Sequence, residues 1–290
     1  MRRIGIALAL TLVTAGAYAH SSRHSVSIDS DSCDSRHVRF DDEPGFTEEQ
    51  VIEAGNLRSL KAVVTHAPIS VVGGNGSGYT ITVCKAAAMQ QDLAAIRVSV
   101  EGNELKTSGP SGDRWYVSYR IRAPRGASLD LEAENGPIAV RDVDGTVIAR
   151  AENGPISLRN LSGTVEATTT NGPISVDGGS GTMKVRASNG PLDVNLDGNS
   201  WVGGSLDAAT KNGPLSLEIP RGYNSGVVVE SNGRGPLSCR AEGCDRFRAT
   251  RDARGDDEED DEPRTIELGN GPAAVRLSTV NGPVTIKDTK

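Results

Sequence analysis

The sequence predicts an all-β chain wound as a parallel single-stranded β-solenoid, a right-handed β-helix with coils of about 18 residues. Two observations carry this. Asn-Gly-Pro recurs at Asn135, Asn153, Asn171, Asn189, Asn212, Asn270 and Asn281, and the first four copies are each 18 residues apart. Laid over one another, the coils also align their apolar residues. One column reads Ile138, Ile156, Ile174, Leu192, Leu215, and two residues on another reads Val140, Leu158, Val176, Val194, Leu217. A second strand in each coil starts at Gly145, Gly163 or Gly181 and turns Val147, Val165 and Met183, then Ala149, Ala167 and Val185, to the same side. Strand side chains alternate between faces, so each coil holds two short strands with apolar insides. One coil cannot bury such a face alone, whereas stacking pairs its backbone into parallel sheets and closes a continuous core. Right-handedness is expected from the chirality of parallel crossovers.

The turn chemistry agrees. Glycine tolerates unusual φ, and proline fixes φ at the strand entry, where no ladder bond is lost. Asn135, Asn153, Asn171, Asn189 and Asn212 are read as structural turn residues whose side chains hydrogen-bond from coil to coil. An aromatic content of 3% suits a narrow core of Val, Ile, Leu and Ala.

In chain order, Arg2 and Arg3 precede an apolar run from Ile4 to Val13, and Ala17-Tyr18-Ala19 forms a small-x-small cleavage site. Residues 1–19 are therefore read as a signal peptide cleaved near Ala19. The run is half the roughly twenty residues a membrane span needs, and no later segment is long and apolar enough, so no membrane span is expected in the mature chain. A periplasmic or secreted location follows. Residues 20–45 form a polar, Ser- and Asp-rich N-terminal segment. Residues 46–130 are expected to form irregular N-terminal β coils, broader than the rest, with a helix over Lys85 to Ala94. There Thr65-His66-Ala67-Pro68-Ile69-Ser70-Val71 matches Thr170-Asn171-Gly172-Pro173-Ile174-Ser175-Val176 except at His66 and Ala67.

Residues 131–290 form the regular solenoid, interrupted twice. The step from Asn189 to Asn212 is five residues too long, which places a loop at Gly198 to Gly204 with Trp201 lidding the core. The second interruption is an acidic insertion near 250–264, where Asp256 to Glu262 are seven consecutive acids. Such a run repels itself and reads as a solvated surface loop. Calcium binding is the alternative, though the run lacks the spaced ligands of a calcium loop. A further copy of the turn, Asn232-Gly233, reaches Pro236 after two extra residues.

Four cysteines in an exported chain point to disulfides. Cys239 and Cys244 are close enough to close a small loop, leaving Cys33 with Cys84, although four cysteines permit three pairings. Zinc is disfavoured because there is no CxxC, and His20, His24, His37 and His66 all lie near the N-terminus. The net charge of −7, or −9 once two leader arginines are removed, speaks against a nucleic-acid partner.

The segment from Tyr116 to Gly126, followed by Leu129-Asp130-Leu131 and Asn135-Gly136-Pro137-Ile138-Ala139-Val140, resembles the bacterial "putative adhesin" family of unknown function. The shared pattern is a strand, a Pro-x-Gly turn, an apolar strand and an Asn-Gly-x-Ile repeat. The likeness runs from about residue 50 onward. It implies a β-solenoid of the cell envelope and supplies no catalytic residue. The proline after nearly every Asn-Gly and the acidic insertion depart from the pattern.

Taken together, the sequence points to a non-catalytic exported cell-envelope or surface protein, an adhesin or interaction scaffold. It needs no cofactor, and its partner would be an envelope protein or a surface glycan. The competing reading is a glycan-active β-helix enzyme, since glycoside hydrolysis needs two carboxylates a few ångströms apart. Asp177, Asp193 and Glu218 are the outward acids available. The repeat region, however, has no histidine, few aromatics to stack a sugar and no basic cluster to hold an acidic substrate.

Overall fold

The computed structural model describes residues 26–27, 33, 38–41, 43–55, 57–232, 235–245 and 264–289. Residues 1–19, read from the sequence as a signal peptide, and the acidic run lie outside the described residues. The described chain is a two-sided β-solenoid of two eleven-stranded sheets, with a small three-stranded sheet near its N-terminal end.

Long strands make one sheet: Ala127–Asn135, Asp144–Asn153, Ser162–Asn171, Thr182–Asn189 and Leu206–Asn212 stack in parallel. The short strands that follow each Asn-Gly-Pro turn make the other: Ile138–Arg141, Ile156–Arg159, Ile174–Asp177, Leu192–Asn195 and Leu215–Ile219. Val147 pairs with Val165 and Ile156 with Ile174, so register follows the 18-residue period. Every residue of the four apolar columns read from the sequence is buried.

Each coil turns two corners. At one, the Gly-Pro pair carries the chain from the long strand to the short one. At the other, Asp142, Asn160 and Gly178 stand in the same place 18 residues apart, with φ of 56°, 49° and 65°. Asp, Asn and Gly are the residues that enter this left-handed region at least cost. Val143 and Leu161, next in sequence, plug the corner of the core.

The N-terminal third differs from broader coils. Ser59–Val64 and Ile69–Gly73 form a proper coil, in register with Leu129 and Ile138 above. The chain then leaves the stack, builds a cap, and returns at Ala127. In the cap, Trp115–Ala123 runs parallel to Ile69–Gly73 but antiparallel to Tyr79–Ala87, which is itself antiparallel to Phe46–Ala54. Arg97–Glu101 and Glu104–Ser108 form an antiparallel hairpin that extends the other sheet. The helix expected over Lys85 to Ala94 shrinks to Gln90–Leu93, because Lys85, Ala86 and Ala87 continue the preceding strand. Tertiary pairing overrides the alanine-rich helical preference there.

The C-terminal third departs from sequence order. Gly226–Ser231 and Leu237–Cys239 do not stack on the coil Leu206–Ile219 that precedes them. The later coil, Ala273–Asn281 and Val284–Asp288, occupies that level and is sandwiched between the two. Arg264–Leu268 pairs antiparallel with the far side of Gly226–Ser231. The Asn-Gly-Pro at Asn270 is thus no coil turn. It lies where the chain crosses the end of the Gly226–Ser231 strand, and Gly226 donates its backbone N–H to Pro272 O at 2.9 Å.

Trp201 is 6% exposed, and its indole N–H donates to the carbonyl of Gly181 at 2.8 Å. The inserted loop therefore turns its aromatic residue into the core end.

Candidate interaction surface

The turn asparagines are brought together as one ladder. Asn153 Nδ2 donates to Asn135 Oδ1 at 3.1 Å, Asn171 to Asn153 at 2.9 Å, Asn189 to Asn171 at 3.0 Å, and Asn212 to Asn189 at 2.9 Å. Asn281 adds a sixth rung by donating to Asn212 at 2.9 Å. At the base, His66 takes the place of an asparagine and faces Asn135 Nδ2 through its Nε2 at 3.5 Å. All five amide bonds point the same way because stacking in register repeats one rotamer. A neutral amide hydrogen bond contributes about 1 kcal/mol net, so Asn171→Ala, which removes two, is expected to lower stability by about 1–2 kcal/mol. The neighbouring exposed Thr170→Ala should leave it nearly unchanged. Urea midpoints of the two variants check this.

Behind the ladder, inward hydroxyls fill a role that the apolar columns do not reveal. Thr169, Thr210 and Thr279 are buried and donate to the carbonyls of Gly154, Gly190 and Gly213 in the coil beneath, at 3.1, 2.8 and 3.1 Å. The only hint in the sequence is a threonine two residues before the turn asparagine.

Two disulfides are present, Cys33–Cys84 with Cα atoms 5.3 Å apart and Cys239–Cys244 at 5.7 Å. The first tethers the N-terminal segment to the outer face of the cap. There Val38 and Phe40 cover Ala86, with Tyr116 alongside. Burial pushes the Tyr116 phenol above the ordinary tyrosine range.

On the short-strand sheet only two outward positions exist per coil. The first column is built from small side chains, running Ser70, Ala139, Ser157, Ser175, then Asp193 and Ser216, all in register. The second column carries charge. Arg159 Nε donates to Asp177 Oδ2 at 2.9 Å, Asn195 Nδ2 donates to Asp177 Oδ1 at 2.9 Å, and Lys287 Nζ meets Glu218 Oε1 at 2.7 Å. Two of the three outward acids are therefore held in pairs. Asp193 is exposed, and its carboxyl is held above the usual range by desolvation and then by the charge of Glu218, partly offset by Lys287. Its neighbours across the ladder are Ser175 and Ser216 on an open sheet face. Two carboxyl groups a few ångströms apart are what glycoside hydrolysis requires, and Asp193 and Glu218 are the acids that this face brings within each other's field.

Among the described residues no group of three His, Cys, Asp or Glu side chains is arranged to hold a metal ion. Among those residues no helix is long and apolar enough to cross a membrane.

No family model matches the sequence, and no curated protein matches it. Among solved structures the chain is similar to a putative adhesin from Bacteroides fragilis, at 12% identity and a TM-score of 0.42, covering 84% of this chain and 97% of that one. It is also similar to a putative cell adhesion protein from Clostridium sporogenes, at 14% identity and a TM-score of 0.27, covering 84% and 100%. A putative adhesin from Parabacteroides distasonis gives 12% identity and 0.34, covering 84% and 98%. These likenesses are distant, so the functional reading rests on the chain's own residues.

Proposed function

We propose that this chain is an exported, non-catalytic cell-envelope or surface protein whose rigid solenoid serves as an interaction scaffold of the adhesin kind. The observation that carries the reading is the short-strand face. It is a strip of small, mostly hydroxyl side chains interrupted by Asp193, edged by a column in which Arg159 pairs with Asp177 and Lys287 with Glu218. Such a strip lets a partner approach the sheet closely and offers hydroxyls at the strand spacing of about 4.8 Å. An envelope protein or a surface glycan fits that chemistry. The leader at residues 1–19 and the two disulfides support an oxidising, extracytoplasmic setting.

Retention of the mature protein on intact cells and purified envelope fractions tests the proposal, comparing wild type with Ser157→Arg/Ser175→Arg. Both positions are half-exposed, so the double variant should melt like wild type. Its retention should fall about tenfold as the strip is blocked. Equal retention by the two proteins, or release of sugar fragments from the envelope by wild type alone, would overturn the reading.

A further inference from the structure

Stacking out of sequence order makes the level above Leu206–Ile219 a slot with two complete walls. The lower wall donates from Gly213 N to Asn281 O and from Leu215 N to Pro283 O, both at 2.9 Å. The upper wall uses Asn232 N to Thr279 O at 3.0 Å, Arg240 N to Ile286 O at 2.8 Å, and Val284 N to Pro236 O at 2.9 Å. The occupant, from Arg264 to Asp288, is one continuous U. Arg264–Leu268 lies on one side of the Gly226–Ser231 strand and Ala273–Asn281 on the other. It clasps that strand from both edges.

The two coils that compete for the slot are interchangeable in their apolar columns. Val227 matches Val275, Val229 matches Leu277, and Leu237 matches Val284. What separates them is polar. Asn281 extends the amide ladder to Asn212, and Thr279 bonds Gly213 O. The Gly226–Cys239 coil offers Ser231, whose hydroxyl is buried without a hydrogen-bond partner among the described residues, and it has two extra residues between Asn232 and Pro236. The interior level therefore selects the Ala273–Asp288 coil by its side chains and not by its place in the sequence. Nothing in these contacts depends on the occupant belonging to the same chain.

We propose that this slot also accepts the Arg264–Asp288 clasp of a second copy, so that the protein assembles by exchanging that segment between chains. The layout meets the requirement for a swap, namely a discrete element with its own interface joined by one connection. That connection runs from Asp245 to Arg264 and can reach up to about 60 Å when extended, enough to serve a neighbouring chain.

The test uses full-length chains. Ser216 and Thr285 are in-register neighbours on the outward face, one on the slot wall and one on the occupant. Chains carrying only Ser216→Cys are refolded together with chains carrying only Thr285→Cys, then oxidised and mapped by mass spectrometry of non-reduced digests. A chain with both substitutions, which should cross-link within a monomer, verifies the register. Dimers joined through positions 216 and 285, growing in proportion to protein concentration, are the expected result. The proposal fails if the mixture stays monomeric with both new thiols free at every concentration. It fails equally if the dimers carry only 216–216 or 285–285 links.

Discussion

Replacing Ile156 with aspartate is expected to remove about 5 kcal/mol or more of stability, while the same change at Ser157 should move it by less than about 1 kcal/mol. The two residues are adjacent in one strand yet point to opposite sides. Ile156 is 1% exposed, stacked between Ile138 and Ile174 in a core only two sheets thick. Aspartate there forfeits the transfer energy of the isoleucine, leaves a void and strands a carboxylate among aliphatic groups. Ser157 sits half-exposed on the strip, where a carboxylate stays hydrated. The pH dependence gives a second readout. Burial would raise the folded-state pKa of the new carboxyl above its unfolded value, so its penalty is complete above the folded pKa and shrinks as pH falls through the folded pKa towards the unfolded one. Ile156→Asp should therefore lie closer to wild type at pH 4 than at pH 8. Matching urea midpoints for Ile156→Asp and Ser157→Asp would refute the inward register.

That register was legible because two periods reinforce each other. Alternation assigns each side chain to a face, and the 18-residue repeat stacks like on like, so Ile138, Ile156 and Ile174 declare themselves in the sequence alone. The amide ladder follows from the same register, since Asn135 to Asn212 sit at one height on successive coils. Two features escaped, each for a physical reason. Alternation is identical in parallel and antiparallel strands, so Tyr79–Ala87 and Trp115–Ala123 announce strands without announcing that they run in opposite directions. Column chemistry likewise names which residues face inward but not which coil lies above. Val227 and Val275 are equally good neighbours for Leu206, and only Asn281 and Thr279 decide in favour of the later coil. Asn270 shows the converse, a tripeptide identical to the coil turns that serves as a crossing because its neighbours place it at a strand end.

The glycine column is the strongest test of how tightly the coils are stacked. Gly172→Ala is expected to destabilise the protein by about 3 kcal/mol, as overpacking does where the surroundings cannot yield. A Cβ on Gly172 would stand 2.2 Å from the carbonyl oxygen of Gly154 and 2.6 Å from its carbon, both backbone atoms that no side-chain rotation can move. The same carbonyl-over-glycine contact recurs at Gly154, Gly190, Gly213 and Gly282. Relief would require two coils to part at this corner. That separation would stretch the bond from Ile156 N to Pro173 O, now 3.0 Å, and the Asn171 to Asn153 amide bond, now 2.9 Å. Gly222 and Gly55 provide the scale. At Gly222 φ is +70° with nothing within 4 Å of a built Cβ, so alanine there should cost about 1 kcal/mol from backbone conformation alone. Gly55 has open space and no positive φ, so alanine there should be neutral or slightly stabilising by narrowing the unfolded ensemble. The expected order of melting temperatures is Gly55→Ala highest, then Gly222→Ala, then Gly172→Ala. If Gly172→Ala melts no lower than Gly222→Ala, the glycines are kept for turn conformation and not for close stacking, and the coils have more room between them than this packing allows.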